Sequence, residues 1–318
     1  MTPLFKIAAA HASPILMDRD ATLAKACDLV AAAGRQGVRL LGFPETFVPG
    51  YPYWLGLYPP VRQLAALRAY GAASVVVDGP DLDGIRAACR AHRVNVVLGV
   101  SERLGGTLYN SQVFVDEHGS LVGVHRKLQP TMSERTLWGQ GDGATLKVFD
   151  MPVGRVGGLI CGEHSMNLAR HALILQGEQI HVSAWPAFST MRGREDWFDP
   201  HVDAFSKVHA YTGSCFVVVA QDPITPANLT TIERLLGPQD VLSPGGGFSA
   251  IYGPREAYLA QPHRGPEEKL VIAEIDLEQI AAAKIQHDSA GHYARAEVLR
   301  LVVDTEAKTP LILRDGAP

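Results

Sequence analysis

The stretch VGGLICGEHSMNLARHALILQGEQIHVSA, residues 156–184, contains the fold in miniature. Val156 to Ile160 is a short apolar run and reads as a strand. Leu168 to Gln176 has helical spacing and is closed by Gly177; Ile180 to Ala184 is apolar again. The alternation continues towards the N-terminus. Strands are expected at Phe5–Ala10, Val38–Phe43 and Val94–Val100. A helix over Ala21–Ala33 sets Leu23, Cys27, Val30 and Ala31 on one face, with Asp18 or Asp20 to cap it and Gly34 to end it. Leu82, Ile85 and Cys89 mark a second helix. Leu108–Val115 and Leu121–His125 flank Asp116-Glu117-His118-Gly119 as a hairpin. Towards the C-terminus follow a helix over Val202–Thr212 and a strand over Cys215–Ala220. A second hairpin, Phe248–Tyr252 and Tyr258–Ala260, surrounds Gly253-Pro254. Leu270–Ile275 is a further strand, and Val298–Val303 is a candidate for one more. Strands alternating with helices and broken by hairpins imply an α/β layer architecture with mixed sheets. No repeat or low-complexity linker divides the chain, so residues 1–318 are expected to form one domain. Residues 54–73 and 222–244 fit the alternation least and read as insertions.

Composition narrows the function classes. The 318 residues are 47% hydrophobic and 19% charged, as expected of a folded protein with a sizeable core. The balance of 29 basic against 33 acidic residues leaves a net charge of −4 without a basic block, so no nucleic-acid partner is expected. The apolar runs are too short to span a bilayer, and no export signal opens the chain. A cytoplasmic location without membrane attachment is therefore expected. The 4 cysteines form no C-x-x-C pair, which argues against a structural metal, and their scatter argues against a disulfide framework. Cys27, Cys89 and Cys215 sit in apolar patterns and read as core.

Three polar residues each stand just beyond an apolar strand: Glu45 after residues 40–44, Lys127 after 121–126, and Cys161 after 157–160. Sites in open α/β sheets form at strand carboxyl ends. A base, a cation and a thiol there make a coherent set, although singly each also reads as a turn residue, a surface charge or a core thiol. The surrounding words are more specific. FPETFVPGYP (43–52), HRKLQPT (125–131), ERTLWGQGDG (134–143) and LICGEH (159–164) occur in this order. Together they resemble the nitrilase branch of the nitrilase superfamily, over nearly the whole chain from the N-terminal strand to about residues 288–293.

That resemblance implies a four-layer α-β-β-α sandwich. It implies Glu45 as general base, Lys127 as electrostatic stabiliser, Glu134 as the glutamate that positions lysine and substrate, and Cys161 as nucleophile. No metal or organic cofactor is implied. The residue types suit the chemistry: a nitrile carbon is a weak electrophile and needs a strong nucleophile, and an ammonium nearby is expected to lower the cysteine pKa. Gly162 stands where the family signature usually has Trp, and His164 where it often has Asn. Tyr51, Tyr53, Trp138, Gly162, His164 and Trp185 are the expected substrate contacts; the last lies in HVSAWP (181–186), which resembles the turn lining the family's pocket. The implied partner is a small-molecule nitrile. The implied assembly is a homodimer, extendable to spirals, with the tail from about residue 284 and its His292 motif used in contacts. The rival readings are an amidase, or a nitrile or cyanide hydratase, built on the same four residues. A catalytically idle scaffold is disfavoured because all four are present, and a serine hydrolase because no G-x-S-x-G occurs.

Overall fold

Burial with a period of two along the strands divides their side chains between separate cores. In β1 (Phe5–His11), Ile7 and Ala9 face one core, Ala8 and Ala10 another. Val97 of β3 (Asn95–Leu104) takes the first side, Val96 and Leu98 the second. The same split places Phe216 and Val218 of β9 (Phe216–Gln221) opposite Val217 and Val219. Strands buried on both faces must be covered on both faces, and the chain does so with four layers.

The structure is a computed structural model that describes residues 4–308. Its first sheet contains β1, β2 (Val38–Gly42), β3, β4 (Thr107–Val115), β5 (Leu121–Arg126) and the returning β12 (Lys269–Ile275), in the order β12-β1-β2-β3-β4-β5. The second contains β6 (Phe149–Met151), β7 (Gly154–Ile160), β8 (Ile180–Trp185), β9, β10 (Phe248–Tyr252) and β11 (His263–Arg264), ordered β11-β10-β9-β8-β7-β6. The central strands β1-β2-β3 and β7-β8-β9 are parallel, and the flanking pairs are antiparallel. Helices α1 (Arg19–Arg35) and α3 (Asp83–His92) cover the outer face of the first sheet; α4 (Asn167–Leu175) and α5 (Phe198–Gly213) cover that of the second. The two inner faces meet through Ile7, Leu40, Phe114, Val182 and Val218. This is the α-β-β-α sandwich that the family resemblance implied. The sheets approach closely: a Cβ on Gly42 would lie 2.8 Å from a Val182 methyl. Gln112 donates across the gap to the Val182 carbonyl at 3.0 Å.

Several boundaries differ from the sequence reading for identifiable reasons. Asp18 is the N-cap of α1, accepting from the Ala21 N–H at 3.0 Å, so the helix begins at Arg19. Residues 258–260 form no strand. Tyr252 and Tyr258 make one bridge, and both hydroxyls donate to Asp203 of α5 at 2.6 Å, which draws this segment towards the helix. The second hairpin of β10 is made with β11 instead. Residues 298–303 are not a strand either. Residues 296–298 form a turn; beyond it Leu301 and Val303 pack against the α4 cluster while Val302 is exposed, the alternation of extended chain with no pairing partner among the described residues. The two irregular segments pack on each other. Trp54, Tyr58 and Tyr70 of residues 53–73 meet Ile232 and Leu236 of α6 (Pro226–Leu236), with α2 (Leu64–Ala73) contributing Ala66. Tyr58 donates to the Gly237 carbonyl at 2.7 Å. After β12 the chain forms α7 (Glu278–Gln286). Among the described residues no helix is long and apolar enough to cross a membrane.

Gly99 on β3 lets the segment carrying Glu45 lie against the sheet: an added Cβ would sit 2.0 Å from the Pro44 carbonyl oxygen and 2.8 Å from the Thr46 nitrogen. Overpacking of this kind costs about 1–3 kcal/mol. Gly99→Ala is expected to melt several degrees lower than the parent. Gly106→Ala, where a Cβ meets nothing within 4 Å, is expected to melt unchanged. Equal melting of the two variants would show that residues 44–46 give way freely.

Candidate active site

The carboxyl ends of β2 and β5 lie on one edge of the first sheet, because β2 and β3 are parallel and two antiparallel pairings return β5 to the same direction. Glu45 follows β2 and Lys127 follows β5. The Lys127 backbone N–H is fixed to the Asn110 carbonyl at 2.8 Å, and its ammonium donates to Glu45 Oε1 and Glu134 Oε2, each at 2.7 Å. All three side chains are fully or almost fully buried. Glu134 comes from a tight turn, Met132–Thr136. Its Oε2 also accepts the Thr131 N–H at 2.7 Å, and its Oε1 the Tyr51 hydroxyl at 2.7 Å. Glu45 Oε1 accepts a second bond from Asn110 Nδ2 at 2.7 Å; Glu45 Oε2 is buried without a hydrogen-bond partner among the described residues.

Two carboxylates around one ammonium leave a negative surplus in a buried site. Burial and the neighbouring Glu134 raise the Glu45 pKa to about 7 against the pull of Lys127. Burial opposes the charge of Lys127, but Glu134 and Glu45 outweigh it and keep the lysine protonated.

Cys161 begins the turn Cys161–Ser165 directly after β7, on the second sheet. It is 4% exposed and adopts a left-handed backbone with φ 49°. Thr46 beside Glu45 (φ 41°) and Met132 beside Glu134 (φ 46°) are left-handed too. Such conformations cost about 1–3 kcal/mol for non-glycine residues and need firm surroundings. For Cys161 the support is Glu163. Its Oε2 accepts the Ile160 N–H at 2.8 Å, its Oε1 the Leu128 N–H at 2.7 Å, and His125 approaches Oε2 at 3.0 Å. One carboxylate thus ties the end of β7 to the residue after Lys127, and so joins the two sheets at the site. Burial works against the Glu163 charge, but His125 and the two backbone donors outweigh it and hold the pKa below the usual range. Cys161 feels the charges of Glu45, Lys127 and Glu134. Burial and Glu45 push its pKa well above the ordinary thiol value, overriding Lys127 and the Gly162 N–H. The expected lowering by the ammonium is therefore outweighed: the resting group is a thiol that needs a base.

A cavity of about 200 Å³ opens against Glu134, walled by Tyr51, Tyr53, Thr131, Phe188 and Arg194. Of the expected substrate contacts, Tyr51 and Tyr53 line it. Trp138 does not: it packs on Tyr51 and Tyr70 and donates to Ser101 at 3.0 Å. Trp185 is also away from the wall, stacked on His164 with ring centroids 4.8 Å apart. His164 is wholly buried behind Cys161, donating to the Cys161 carbonyl at 2.8 Å. Gly162 makes room for Thr131, whose Oγ1 would lie 2.9 Å from a Cβ there. Four residues at the site went unnoticed in the sequence. Asn110 was detectable as an amide inside an apolar strand. Asp222 follows β9 as Glu45 follows β2; burial raises its pKa to about 8, and Tyr53 donates to it at 3.2 Å. Phe188 and Arg194 carried no local signal. Glu178, His209 and Cys215 have ligand-type atoms within 4.8 Å of one another. Both Glu178 oxygens are already bonded to histidine nitrogens, so an ion there would displace existing hydrogen bonds.

Comparison with known proteins follows the same lines. Residues 6–285 match the family model described as carbon-nitrogen hydrolase. The chain is 40% identical to a nitrilase of Pseudomonas syringae pv. syringae over 97% of its own length and 92% of that protein's. It is 37% identical to an aliphatic nitrilase of Rhodococcus rhodochrous, over 98% and 85%. The crystal structure of a carbon-nitrogen hydrolase from Helicobacter pylori G27 superposes with a TM-score of 0.70 at 18% identity, covering 89% of this chain and 93% of that one, which speaks to the fold.

Removing one member of a buried ionic cluster leaves the others uncompensated, at a cost of about 3–5 kcal/mol. Lys127→Met is therefore expected to fold with a much lower melting temperature, as Glu45 and Glu134 then face each other. One of them must take a proton. A carboxyl whose folded pKa lies above its unfolded value gives stability at low pH that is lost as pH rises. The deficit against the parent should therefore be smaller at pH 5 than at pH 8. Melting within a degree of the parent at pH 8 would show that the ammonium carries no such burden.

Proposed function

This chain belongs to the carbon-nitrogen hydrolase family, and on that footing we propose that it is a nitrilase, converting an organic nitrile and two waters to a carboxylic acid and ammonia. The observation that carries the reading is the unpartnered Oε2 of Glu45, a base with a pKa of about 7 in the same buried site as the Cys161 thiol and the Lys127 ammonium. Glu45 takes the thiol proton as sulfur attacks the nitrile carbon. That proton passes to the nitrile nitrogen, leaving a thioimidate on Cys161. Water adds, the nitrogen is protonated, and ammonia leaves a thioester. A second water, deprotonated by Glu45, releases the acid and restores the thiol. Charge that builds on nitrogen or oxygen is met by Lys127 and the Gly162 N–H, and donors of this kind are worth about 10²–10³ in rate each. Glu134 keeps the lysine in place, and Tyr51 and Tyr53 shape the entry. The small cavity suits a compact nitrile.

The working form we propose is one domain assembled as a cytoplasmic homodimer, with the tail from about residue 284 in the contacts. Support comes from the tail's exposed apolar side chains, Ile285, Tyr293, Val298, Leu299 and Val302. Light scattering at assay concentration should give at least twice the 34.3 kDa chain mass; a monomer would overturn this.

The reaction is tested by following acid, amide and ammonia from aliphatic, aromatic and arylacetonitriles and from their amides. Acid is the expected main product, with nitriles turned over faster than amides. Faster amide hydrolysis would make the protein an amidase, and amide as the main product a hydratase. Cys161→Ala should be inactive, and mass spectrometry of trapped enzyme should find the adduct on Cys161. For the parent, kcat/KM should fall below about pH 7 as Glu45 becomes protonated and loses its function as base. A flat profile between pH 5 and 8 would remove Glu45 from that role.

A further inference from the structure

Behind Cys161 runs a chain of buried polar groups that the proposed reaction does not use. His164 Nδ1 lies 2.8 Å from the Cys161 carbonyl oxygen. On its other side His164 Nε2 is 3.0 Å from His181 Nε2 and 2.9 Å from Ser183 Oγ. His181 Nδ1 is 2.8 Å from Glu178 Oε1, and Glu178 Oε2 is 2.7 Å from His209 Nε2. The three imidazoles and Ser183 are fully buried, and Glu178 is 3% exposed.

The protons in this chain can be counted. A carbonyl only accepts, so His164 carries its proton on Nδ1. Burial and the neighbouring His181 hold the His164 pKa well below the usual value, so the ring is neutral and its Nε2 is a bare lone pair. Ser183 Oγ at 2.9 Å and His181 Nε2 at 3.0 Å both face that lone pair. Burial disfavours the charge of Glu178, but His181 and His209 outweigh it and lower its pKa to about 2, so Glu178 only accepts. His181 Nδ1 and His209 Nε2 both face that carboxylate, which anchors the line of histidines from behind. Trp185 donates to Ser183 Oγ at 2.6 Å, which turns the serine proton towards the same His164 nitrogen. The His164 tautomer is fixed in front by the Cys161 carbonyl and behind by Ser183.

What this fixes is a peptide plane. In a trans peptide the C=O of residue 161 and the N–H of residue 162 point in opposite directions. The Cys161 carbonyl is held back by His164, and the Gly162 N–H is turned forward to the Cys161 sulfur, with which it interacts. Cys161 keeps its left-handed φ of 49° in this arrangement. We propose that His164, held in its Nδ1–H form by the Cys161 carbonyl in front and the Ser183 hydroxyl behind, is a positioning residue that aims the Gly162 N–H at the reacting centre. This rests on the reading of Cys161 as nucleophile.

The test compares His164→Phe, His164→Asn and Cys161→Ala, with kcat, KM and the rate of Cys161 alkylation by iodoacetamide measured on folded protein. Phe keeps the stacking on Trp185 but has no donor; Asn can donate to the carbonyl and accept from Ser183. His164→Phe is expected to lose about 10²–10³ in kcat, as for loss of one oxyanion donor, with KM changed only a few-fold and alkylation slowed. His164→Asn is expected to recover most of both. Full kcat in His164→Phe, a loss confined to KM, or no recovery with Asn would overturn the proposal. Turnover in Cys161→Ala would instead overturn the underlying reading. Nitrogen-15 NMR of histidine-labelled parent protein gives an independent arm, free of any folding defect: His164 should be neutral at pH 7 and carry its proton on Nδ1. A proton on His164 Nε2 in place of Nδ1 would overturn the proposal.

Discussion

A lysine ammonium with no exposed surface is stable only where opposite charge reaches it, and at Lys127 two carboxylates do so at 2.7 Å. Desolvating three ionised groups costs several kcal/mol each, recovered only with good geometry and further hydrogen bonds. Each carboxylate here has such bonds: Asn110 on Glu45, the Thr131 N–H and the Tyr51 hydroxyl on Glu134. The chain after β2, the chain after β5 and the turn at residues 132–136 must therefore meet at one point. The close seating of residues 44–46 over Gly99 and the left-handed backbones at Thr46 and Met132 are local consequences of that demand.

The second sheet reaches the same point through Glu163. It accepts backbone N–H groups from both sides of the inter-sheet seam, so Cys161 cannot drift from Lys127 without breaking a charged hydrogen bond. The thiol it presents is held in its protonated form by burial and by Glu45. A site with a negative surplus and an oxygen of Glu45 left unpaired is suited to accepting a proton when a substrate arrives, and less suited to storing a thiolate at rest.

Two aromatic sets surround this centre with different duties. Tyr51, Tyr53 and Phe188 pack edge to face along the cavity. Trp185 and Trp138 stand outside it, one stacked on His164 and one filling the space between Tyr51 and Tyr70. The distinction follows from what lies behind each ring: a free cavity in the first case, buried hydrogen-bonding groups in the second.

The sequence by itself determined an α/β layer architecture, and its resemblance to a family implied that the layers number four. Apolar runs of strand length, helical spacing and glycine stops are local, and they placed most elements to within a few residues. It also marked Glu45, Lys127 and Cys161 as candidates, because a polar residue directly after an apolar strand is visible in one dimension. It could not separate a pocket aromatic from a core aromatic, since Tyr51 and Trp138 are equally apolar and the cavity lies between segments far apart in the chain. It misread Tyr258–Ala260 and Val298–Val303 as strands, because alternation reports which side chains are buried and not whether a neighbouring strand is present. It suggested a lowered cysteine pKa from the lysine alone. Only the tertiary structure decided that burial and Glu45 dominate, that Glu163 joins the two sheets, and that His164 faces a line of buried histidines. Those outcomes depend on distances between residues from 17 positions apart, as His164 and His181, to 116 apart, as Glu45 and Cys161, and on the loss of water around them, neither of which is written in local pattern.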